Sequence, residues 1–396
     1  MLLAAGVVAL CFLVSGGLAL ALPLPSRTDF NVVRWELFHI PNKWLYLTGR
    51  TFRGKLSNAQ EDERLGRYLV ISAQIDALQA GQPGADTDAK VARLKQERSQ
   101  LAADVEAILE GRITSVLEGE SVQSSLPLFP KARWVFPPVD TELEAAPNEL
   151  AISLRDRIQL IDERPLSPTL SAEEINAIEQ QVETDGRHSA LIEPLGGVAT
   201  YPSIVAPVGG YRSLVELAAH EWTHQYLFFK PLGSRVYASL ELRTLNETVA
   251  TIAGQQLAAE VVKKYPLPAD VQTELNALRS PPPPIDVGAA LRSLRREVDK
   301  LLAQGQVTAA ETLMEQRRQE LASKGVYFRK INQAFFAFEN IYATSPASTD
   351  PIGGKIVTLL AREGSIGAFL RASSQLTSAG DLDRLLAATA PGGTGR

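Results

Sequence analysis

A short pattern near the middle of the chain constrains the fold more than any other feature. Residues 220–224 read His-Glu-Trp-Thr-His, and apolar residues flank them on both sides. Histidines four positions apart on a helix lie about 40° apart around its axis, so both imidazoles can reach one ion. Two histidines and a glutamate inside a buried helix are costly unless they are paired or bind a metal. The pattern therefore predicts a buried helix that carries a metal site.

A second helix is predicted to complete this site. Glu247 follows His224 by 23 residues, on a helical face whose other members are mostly small: Arg243, Ala250, Gly254 and Ala258. Small side chains allow two helices to pack closely, which would bring Glu247 to the metal. Catalytic zinc has three protein ligands of nitrogen, oxygen or sulfur and one water. We predict one zinc ion bound by His220, His224 and Glu247, with Glu221 beside it as general base.

These residues resemble those of a known family of zinc peptidases. His-Glu-x-x-His at 220–224, followed by Asn246-Glu247 on the next helix, resembles the gluzincins, which include thermolysin and the large zinc aminopeptidases. The resemblance covers residues 211–258. It implies a zincin-like catalytic core, a peptide or protein substrate, and an edge strand before the metal helix that lines the substrate cleft. We place that edge strand at 198–201, where an extended peptide could be added as a further strand.

One position and one missing signature depart from the pattern of that family. Many gluzincins have an aspartate four residues after the ligand glutamate, where this chain has Thr251. A metal-binding histidine donates its other N–H to an acceptor, so we expect a different acceptor here, such as a backbone carbonyl. The acidic Gly-x-Met-Glu-Asn signature of the large aminopeptidases is absent. Glu193 is a candidate substitute for binding a substrate amine, with a surface carboxylate as the alternative, so endopeptidase and aminopeptidase activity both stay open.

The resemblance also implies a tyrosine or histidine that stabilises the oxyanion. Tyr342 is the first candidate, because it lies where an aromatic helix meets the loop at 345–354. Tyr327 is the second candidate. The alternative for each is a core tyrosine whose hydroxyl is satisfied by another group. His188 is expected to be an ordinary surface histidine.

The N-terminus is predicted to contact a membrane. Residues 2–22 carry no charge, and an apolar segment of that length can cross a bilayer. A cleaved signal peptide is the alternative, since Ala-Leu-Ala at 19–21 suits a cleavage site. Basic residues beyond the segment favour a cytoplasmic body, whereas a signal-like start favours the other side. We predict a single-pass anchor with an extracytoplasmic catalytic part.

Residues 26–125 are predicted to form a juxtamembrane segment and a helical hairpin. The aromatic stretch at 30–56 suits either an interfacial segment or an amphipathic helix packed on the body. Apolar residues recur at helical spacing over 58–118, with a Gly-Pro break at 80–84. The exposed faces of these helices are strongly charged, which favours a protruding hairpin that binds a protein partner. The alternative is a hairpin that packs on the catalytic body.

The composition divides the chain into four parts. These are an anchor or signal segment at 1–25, the hairpin region at 26–125, a zincin-like core at 126–265, and a helical part at 266–396 that completes the active-site cleft. Short β-type runs after the proline-rich stretch at 126–139 predict a small, mostly antiparallel sheet. The predicted fold class is therefore α+β and mostly helical.

Charge and chemistry narrow the functional classes. The net charge is −5 with no basic patch, which argues against nucleic-acid binding. The leading hypothesis is a membrane-anchored zinc metallopeptidase. The alternatives are a non-enzymatic anchored scaffold with a structural or vestigial zinc site, and a zinc hydrolase that acts on a non-peptide bond. The glutamate between the histidines argues against the scaffold, because a structural zinc site needs no base.

Overall fold

The computed structural model describes residues 27–36, 39, 56–80, 84–126 and 129–388. The predicted anchor at 1–25 lies outside these residues, as does most of the aromatic stretch at 30–56. In the part of the chain that the structure describes, no helix combines the length and the apolar composition that a membrane crossing requires. Most of the described residues are helical, and short strands form three small sheets.

In the part of the chain that the structure describes, two long helices and the strands lie before residue 206. Helices α1–α3 span Asn58–Gln79, Ala85–Gly119 and Ala172–Glu183. Strands β1–β8 span Ser124–Leu126, Phe129–Trp134, Thr141–Leu143, Asn148–Leu154, Leu160–Leu166, His188–Pro194, Gly197–Val198 and Ser203–Val205.

The second half is helical. Helices α4–α7 span Tyr211–Phe228, Pro231–Ser234, Leu240–Lys264 and Ala269–Leu278, with a 3-10 turn at Val236–Ala238 before α6. Helices α8–α13 span Val287–Ala303, Val307–Ser323, Gln333–Glu339, Ile352–Glu363, Ile366–Ser373 and Ala379–Ala387.

Helices α1 and α2 form the hairpin that the apolar spacing predicted. Ser57 caps α1, since its hydroxyl accepts from the backbone N–H of Gln60 (3.4 Å) while the Gln60 side chain accepts from the Ser57 N–H (3.0 Å). The apolar faces of both helices join the main core with α4 and α6. Residues 86–100 are mostly exposed. Helix α1 contacts the body as far as Asp76, which accepts from the Gly209 N–H (3.2 Å), so the exposed part of the hairpin is the α2 surface at 86–100.

Two three-stranded sheets lie beside the helical core. In the antiparallel sheet β5-β4-β6, Leu150 and Ile152 on one face pack against Ile175 and Ile178 of α3. The opposite face of this sheet contacts α10. The second sheet has the order β3-β8-β7, with β3 and β8 parallel and β7 antiparallel to β8.

The edge strand predicted at 198–201 is wrong in its extent. Strand β7 covers only Gly197–Val198, at the edge of its sheet. The chain turns after Val198, because the Thr200 N–H donates back to the Val198 carbonyl (2.8 Å). The Thr200 hydroxyl also donates to the Pro202 carbonyl (2.7 Å). These local bonds take the groups that a longer strand would present to a peptide.

Helix α6 packs against α4 through its small residues, as the sequence predicted. Ala250 and Ala258 are fully buried. A Cβ at Gly254 would lie 2.8 Å from the Glu216 carbonyl oxygen and 3.3 Å from the His220 Cα. The two helix backbones therefore approach closely at Gly254, within one turn of the first histidine.

Replacement of Gly254 by alanine should separate these helices. We expect a loss of about 1–3 kcal/mol in the free energy of unfolding, because the added methyl group meets backbone atoms that cannot rotate away. The matched control is Gly111→Ala on the exposed face of α2, where the added Cβ has no neighbour within 4 Å. The control should gain up to about 1 kcal/mol from helix propensity. Denaturant titration measures both changes, and equal stability of the two variants would contradict the close approach.

Candidate metal centre

The two histidines and Glu247 converge as the sequence predicted. Helix α4 places His220 Nε2 and His224 Nε2 3.0 Å apart. Helix α6 places the Glu247 Oε2 atom 3.5 Å from the first nitrogen and 3.2 Å from the second. With metal–ligand bonds of about 2.0–2.1 Å, the ligand atoms of a tetrahedral zinc lie about 3.3 Å apart. The three atoms are therefore spaced like three corners of a zinc tetrahedron.

Two carboxylates compete for the role of third ligand. His220, Glu221 and His224 each place a ligand atom within 4.8 Å of the others. Glu247 lies closer, since one of its oxygens is within 3.5 Å of both Nε2 atoms. The shorter distances favour Glu247 over Glu221 as the third ligand of a metal ion, in agreement with the ligand set predicted from the sequence.

Each histidine has a side-chain oxygen behind its ring. The Nδ1 atom of His224 donates to Asn246 Oδ1 at 2.7 Å, and His220 Nδ1 lies 3.5 Å from the Thr251 hydroxyl. These contacts orient the rings so that both Nε2 atoms face the centre. A backbone carbonyl was the expected acceptor, and that expectation is wrong. Asn246 precedes the ligand glutamate in the motif, so its position was the available signal for this role.

Glu221 lies at the junction of α4 and β7. Its side chain is buried, and a Cβ at Gly197 would lie only 2.6 Å from its Oε1 atom. The absence of a side chain at Gly197 therefore makes room for the carboxylate. Burial raises the pKa of Glu221, the two imidazoles partly offset this rise, and the charge of Glu247 adds to it. A carboxylate with a raised pKa is a stronger base once ionised.

The charges of the site are strongly coupled. Burial alone would lower the pKa of His224, but the charge and hydrogen bond of Glu247, with smaller contributions from Glu221 and Asn246, raise it to about 9. Burial would raise the pKa of Glu247, but both imidazoles hold it below its usual range. Glu247 is therefore ionised at neutral pH and attracts positive charge to this point.

The metal centre lines a cleft of about 1070 Å³. Tyr342 also lines this cleft, where the sequence placed it. Burial and the nearby charges of Glu247 and Glu221 raise the pKa of Tyr342 well above its usual range. The phenol therefore keeps its proton at neutral pH and can act as a hydrogen-bond donor, whereas its role in stabilising an oxyanion stays a prediction.

Three other candidates lie away from the cleft. Tyr327 is 81% exposed and does not line it. Glu193 on β6 does not line it either, although its cross-strand partner Glu149 on β4 does. His188 Nδ1 lies 2.8 Å from the Asp185 carboxylate near the protein surface. The expectation for His188 is met, and the structure brings neither Tyr327 nor Glu193 to the metal centre.

The segment before α1 forms part of the cleft wall. The Phe30 N–H donates to the Pro165 carbonyl (3.1 Å), and the Ser167 N–H donates to the Thr28 carbonyl (2.7 Å), so this segment adds to the edge of β5. Glu36, on a helical turn at 32–36, accepts from the Tyr201 N–H at 3.2 Å. Both Phe30 and Glu36 line the cleft. Sequence reasoning missed this role.

Glu149 and Tyr237 are further cleft residues that sequence reasoning missed. Glu149 lies within a strand whose other residues are mostly apolar, and an acidic residue in such a strand was the available signal. Tyr237 lies on the 3-10 turn before α6 and is 87% exposed at the cleft mouth. No local pattern distinguishes this tyrosine from one on an ordinary loop.

Comparisons with family models, with curated proteins and with solved structures found no match for this chain. The resemblance to the gluzincins therefore rests on residues 211–258 and on the geometry described above.

Removal of the Asn246 amide should weaken metal binding. Asn246→Ala deletes the acceptor that orients His224, so we expect zinc affinity to fall about 10- to 100-fold. Thr251→Val keeps the side-chain shape but removes a hydroxyl at the limit of hydrogen bonding, and it should have a smaller effect. Competition with a chromophoric chelator measures both affinities. Equal losses in the two variants would contradict a specific role for Asn246.

The burial of Glu149 should appear in the pH dependence of stability. Burial and the charge of Glu163 raise the pKa of Glu149 from 4.5 to about 7. At pH values between these two numbers, the folded state retains a proton that the unfolded state loses. The stability that this group contributes is present below about pH 4.5 and is lost as the pH rises through about 7. We expect Glu149→Gln to exceed wild type in stability by about 1–3 kcal/mol at about pH 8, and by little at about pH 4.5. Denaturant titrations at both pH values test this, and a pH-independent difference would refute it.

Proposed function

We propose that this protein is a membrane-anchored, zinc-dependent metallopeptidase. The observation that carries the proposal is the convergence of His220 Nε2, His224 Nε2 and Glu247 Oε2 within 3.0–3.5 Å of one another at the wall of an open cleft. A buried carboxylate that is not needed as a ligand, Glu221, lies beside them. This combination suits hydrolysis better than a structural zinc site, which is usually closed by four protein ligands.

The proposed reaction is the attack of water on a peptide carbonyl. Zinc, when bound by His220, His224 and Glu247, would supply Lewis-acid polarisation and lower the pKa of water. Glu221 accepts the proton of the attacking water at its carboxylate and passes it to the leaving amine. Asn246 and Thr251 keep the imidazoles oriented throughout this step.

Tyr342 is proposed to stabilise the oxyanion. Its side chain lines the cleft close enough to Glu221 and Glu247 for their charges to affect its pKa. Because the hydroxyl keeps its proton, it can donate to a carbonyl oxygen that gains negative charge. This donor would act together with the metal.

The substrate class is proposed to be a peptide or a segment of a protein. Strand β7 lies along the cleft at the edge of its sheet, and because the Val198 carbonyl is already bonded to Thr200, Gly197 is the residue proposed to pair with an extended chain. The same observation favours one alternative, because a strand of two residues can hold only a short length of peptide. Hydrolysis of a non-peptide bond by the same metal centre is therefore the second candidate.

The location of the protein is part of the proposal. The uncharged segment at 2–22 would anchor the chain as a single-pass helix with the cleft on the extracytoplasmic side. Thr28 and Phe30 bond to the edge of β5, which lines the cleft, so the active site would lie close to the membrane surface. The exposed α2 surface at 86–100 is proposed to bind a protein partner.

Replacement of Glu221 by glutamine tests the proposed chemistry. The glutamine keeps the size of the side chain but cannot accept the water proton, so we expect hydrolysis to fall by about 10²- to 10⁴-fold with zinc content unchanged. Digestion of a peptide library and metal analysis give the two measurements. The matched control is Glu216→Gln, on α4 before the first histidine and outside the cleft, which should retain activity.

Two results would contradict the proposed function. Undiminished cleavage by zinc-loaded Glu221→Gln would remove the base from the mechanism. A wild-type protein with neither zinc nor activity would favour the non-enzymatic scaffold.

A further inference from the structure

The cleft that holds the metal centre is strongly acidic. Among the described residues that line it, six are acidic and one, Arg243, is a permanent cation. The acidic residues are Glu36, Glu149, Asp162, Glu163, Glu221 and Glu247. When all six carboxylates are ionised, the negative charge of the cleft exceeds its positive charge, and this holds even with a divalent ion bound. Such a cleft favours substrates that carry positive charge.

The one arginine is already paired. The two terminal nitrogens of Arg243 form a two-point ion pair with Glu163, in which Nη2 lies 2.9 Å from Oε1 and Nη1 contacts Oε2. Planar, two-point pairing of this kind fixes the guanidinium in one position. Arg243 therefore neutralises Glu163 and is not available to pair with the other carboxylates of the cleft.

Most of the other cleft carboxylates also have partners. Asp162 accepts from Arg164 at 2.8 and 2.7 Å. Glu36 accepts from a backbone N–H, and Glu247 contacts the two imidazoles. Glu221 is assigned to the attacking water. Among the acidic residues described above as lining the cleft, Glu149 is the one with neither a partner nor a proposed role.

Glu149 is buried, faces the cleft and lacks a partner among the described residues. Its side chain is only 9% exposed, yet it lines the cleft. In the described part of the chain, no hydrogen bond or ion pair reaches its carboxylate. Burial, the charge of Glu163 and that of Asp162 raise its pKa, and Arg243 only partly offsets them. A buried carboxylate in this state gains from a cation supplied by a ligand.

A second metal ion does not explain this carboxylate. Metal sites in proteins combine several ligand side chains. Within the described ranges, the groups of three such side chains close enough to hold an ion all include His220 and His224, and Glu149 belongs to none of them. An organic cation, which a single carboxylate can bind through one charge-assisted hydrogen bond, fits Glu149 better.

We propose that Glu149 binds a positively charged group of the substrate, an ammonium or a guanidinium, while the scissile bond lies at the metal centre. This proposal rests on the proposed peptidase function and specifies its substrate class. The charged group is either the free α-ammonium of a peptide or the side chain of a lysine or arginine. Glu149 would thus determine specificity, with no part in the bond-breaking step.

Peptide binding tests the proposal independently of turnover. The Glu221→Gln protein, as a full chain loaded with zinc, is titrated with fluorescent peptides in matched pairs. Lysine is compared with norleucine at each position in turn, and a free N-terminus is compared with an acetylated one. At least one cationic peptide should bind about 10- to 100-fold more tightly than its neutral partner, as expected for one hydrogen bond to a charged group.

The same titrations on Glu221→Gln/Glu149→Gln provide the decisive comparison. The preference for the cationic peptide should disappear, and binding of its neutral partner should be unchanged. Glu221→Gln/Glu149→Asp retains the charge on a shorter side chain and should keep part of the preference. If acetylation of the N-terminus weakens binding, the bound group is the α-ammonium. If replacement of lysine by norleucine weakens binding, the bound group is the lysine side chain.

Glu193→Gln in the same background is the matched control. Glu193 lies directly opposite Glu149 on β6 but outside the cleft, so its replacement should leave the preference intact. Equal binding of all peptide pairs to the parent, or a preference that survives Glu149→Gln, would overturn the proposal. A lack of hydrolysis in wild type would overturn the proposed function instead, since binding is measured without turnover.

Discussion

The close contact between α4 and α6 is the constraint on which the rest of the structure depends. Gly254 lies against the backbone of α4, where a Cβ would be 2.8 Å from the Glu216 carbonyl oxygen. Glu247 lies two turns earlier on the same face of α6, so the close approach carries its carboxylate to both imidazoles. The geometry of the candidate metal centre therefore depends on two things: the side chains that the motif supplies, and the close packing of the two helix backbones.

The contact between α4 and α6 brings Glu247 against two imidazoles inside the protein, and neighbouring side chains contact these groups. Asn246 and Thr251 contact the outer nitrogens of the imidazoles, which leaves the inner nitrogens to face Glu247. Arg243, one turn before Glu247 on α6, pairs with Glu163 across the cleft. Helix α6 thus supplies the proposed metal ligand Glu247, the side chains that contact both histidines, and the arginine that pairs with Glu163 on a neighbouring strand. Glu149 lies outside this network, and its burial is the basis for the proposed recognition of a substrate cation.

The walls of the cleft come from parts of the chain far apart in sequence. The segment at 28–36 extends the edge of β5 and covers one side, while α10 and Tyr342 contribute another. Strand β7 brings Gly197 so close to Glu221 that only a glycine leaves room for the carboxylate. The part of the chain that holds the candidate metal centre and the segment at 28–36 are therefore packed into one structural unit.

The sequence by itself determined the features that repeat along a single element. The spacing of His220 and His224, the small-residue face of α6 and the hairpin of α1 and α2 all follow from helical periodicity, which a local pattern records. Tertiary structure alone decided which groups meet across elements: the acceptor behind each imidazole, the short extent of β7, and the position of Glu149 in the cleft. These contacts join residues that are distant along the chain or depend on turn hydrogen bonds, and apolar periodicity encodes neither.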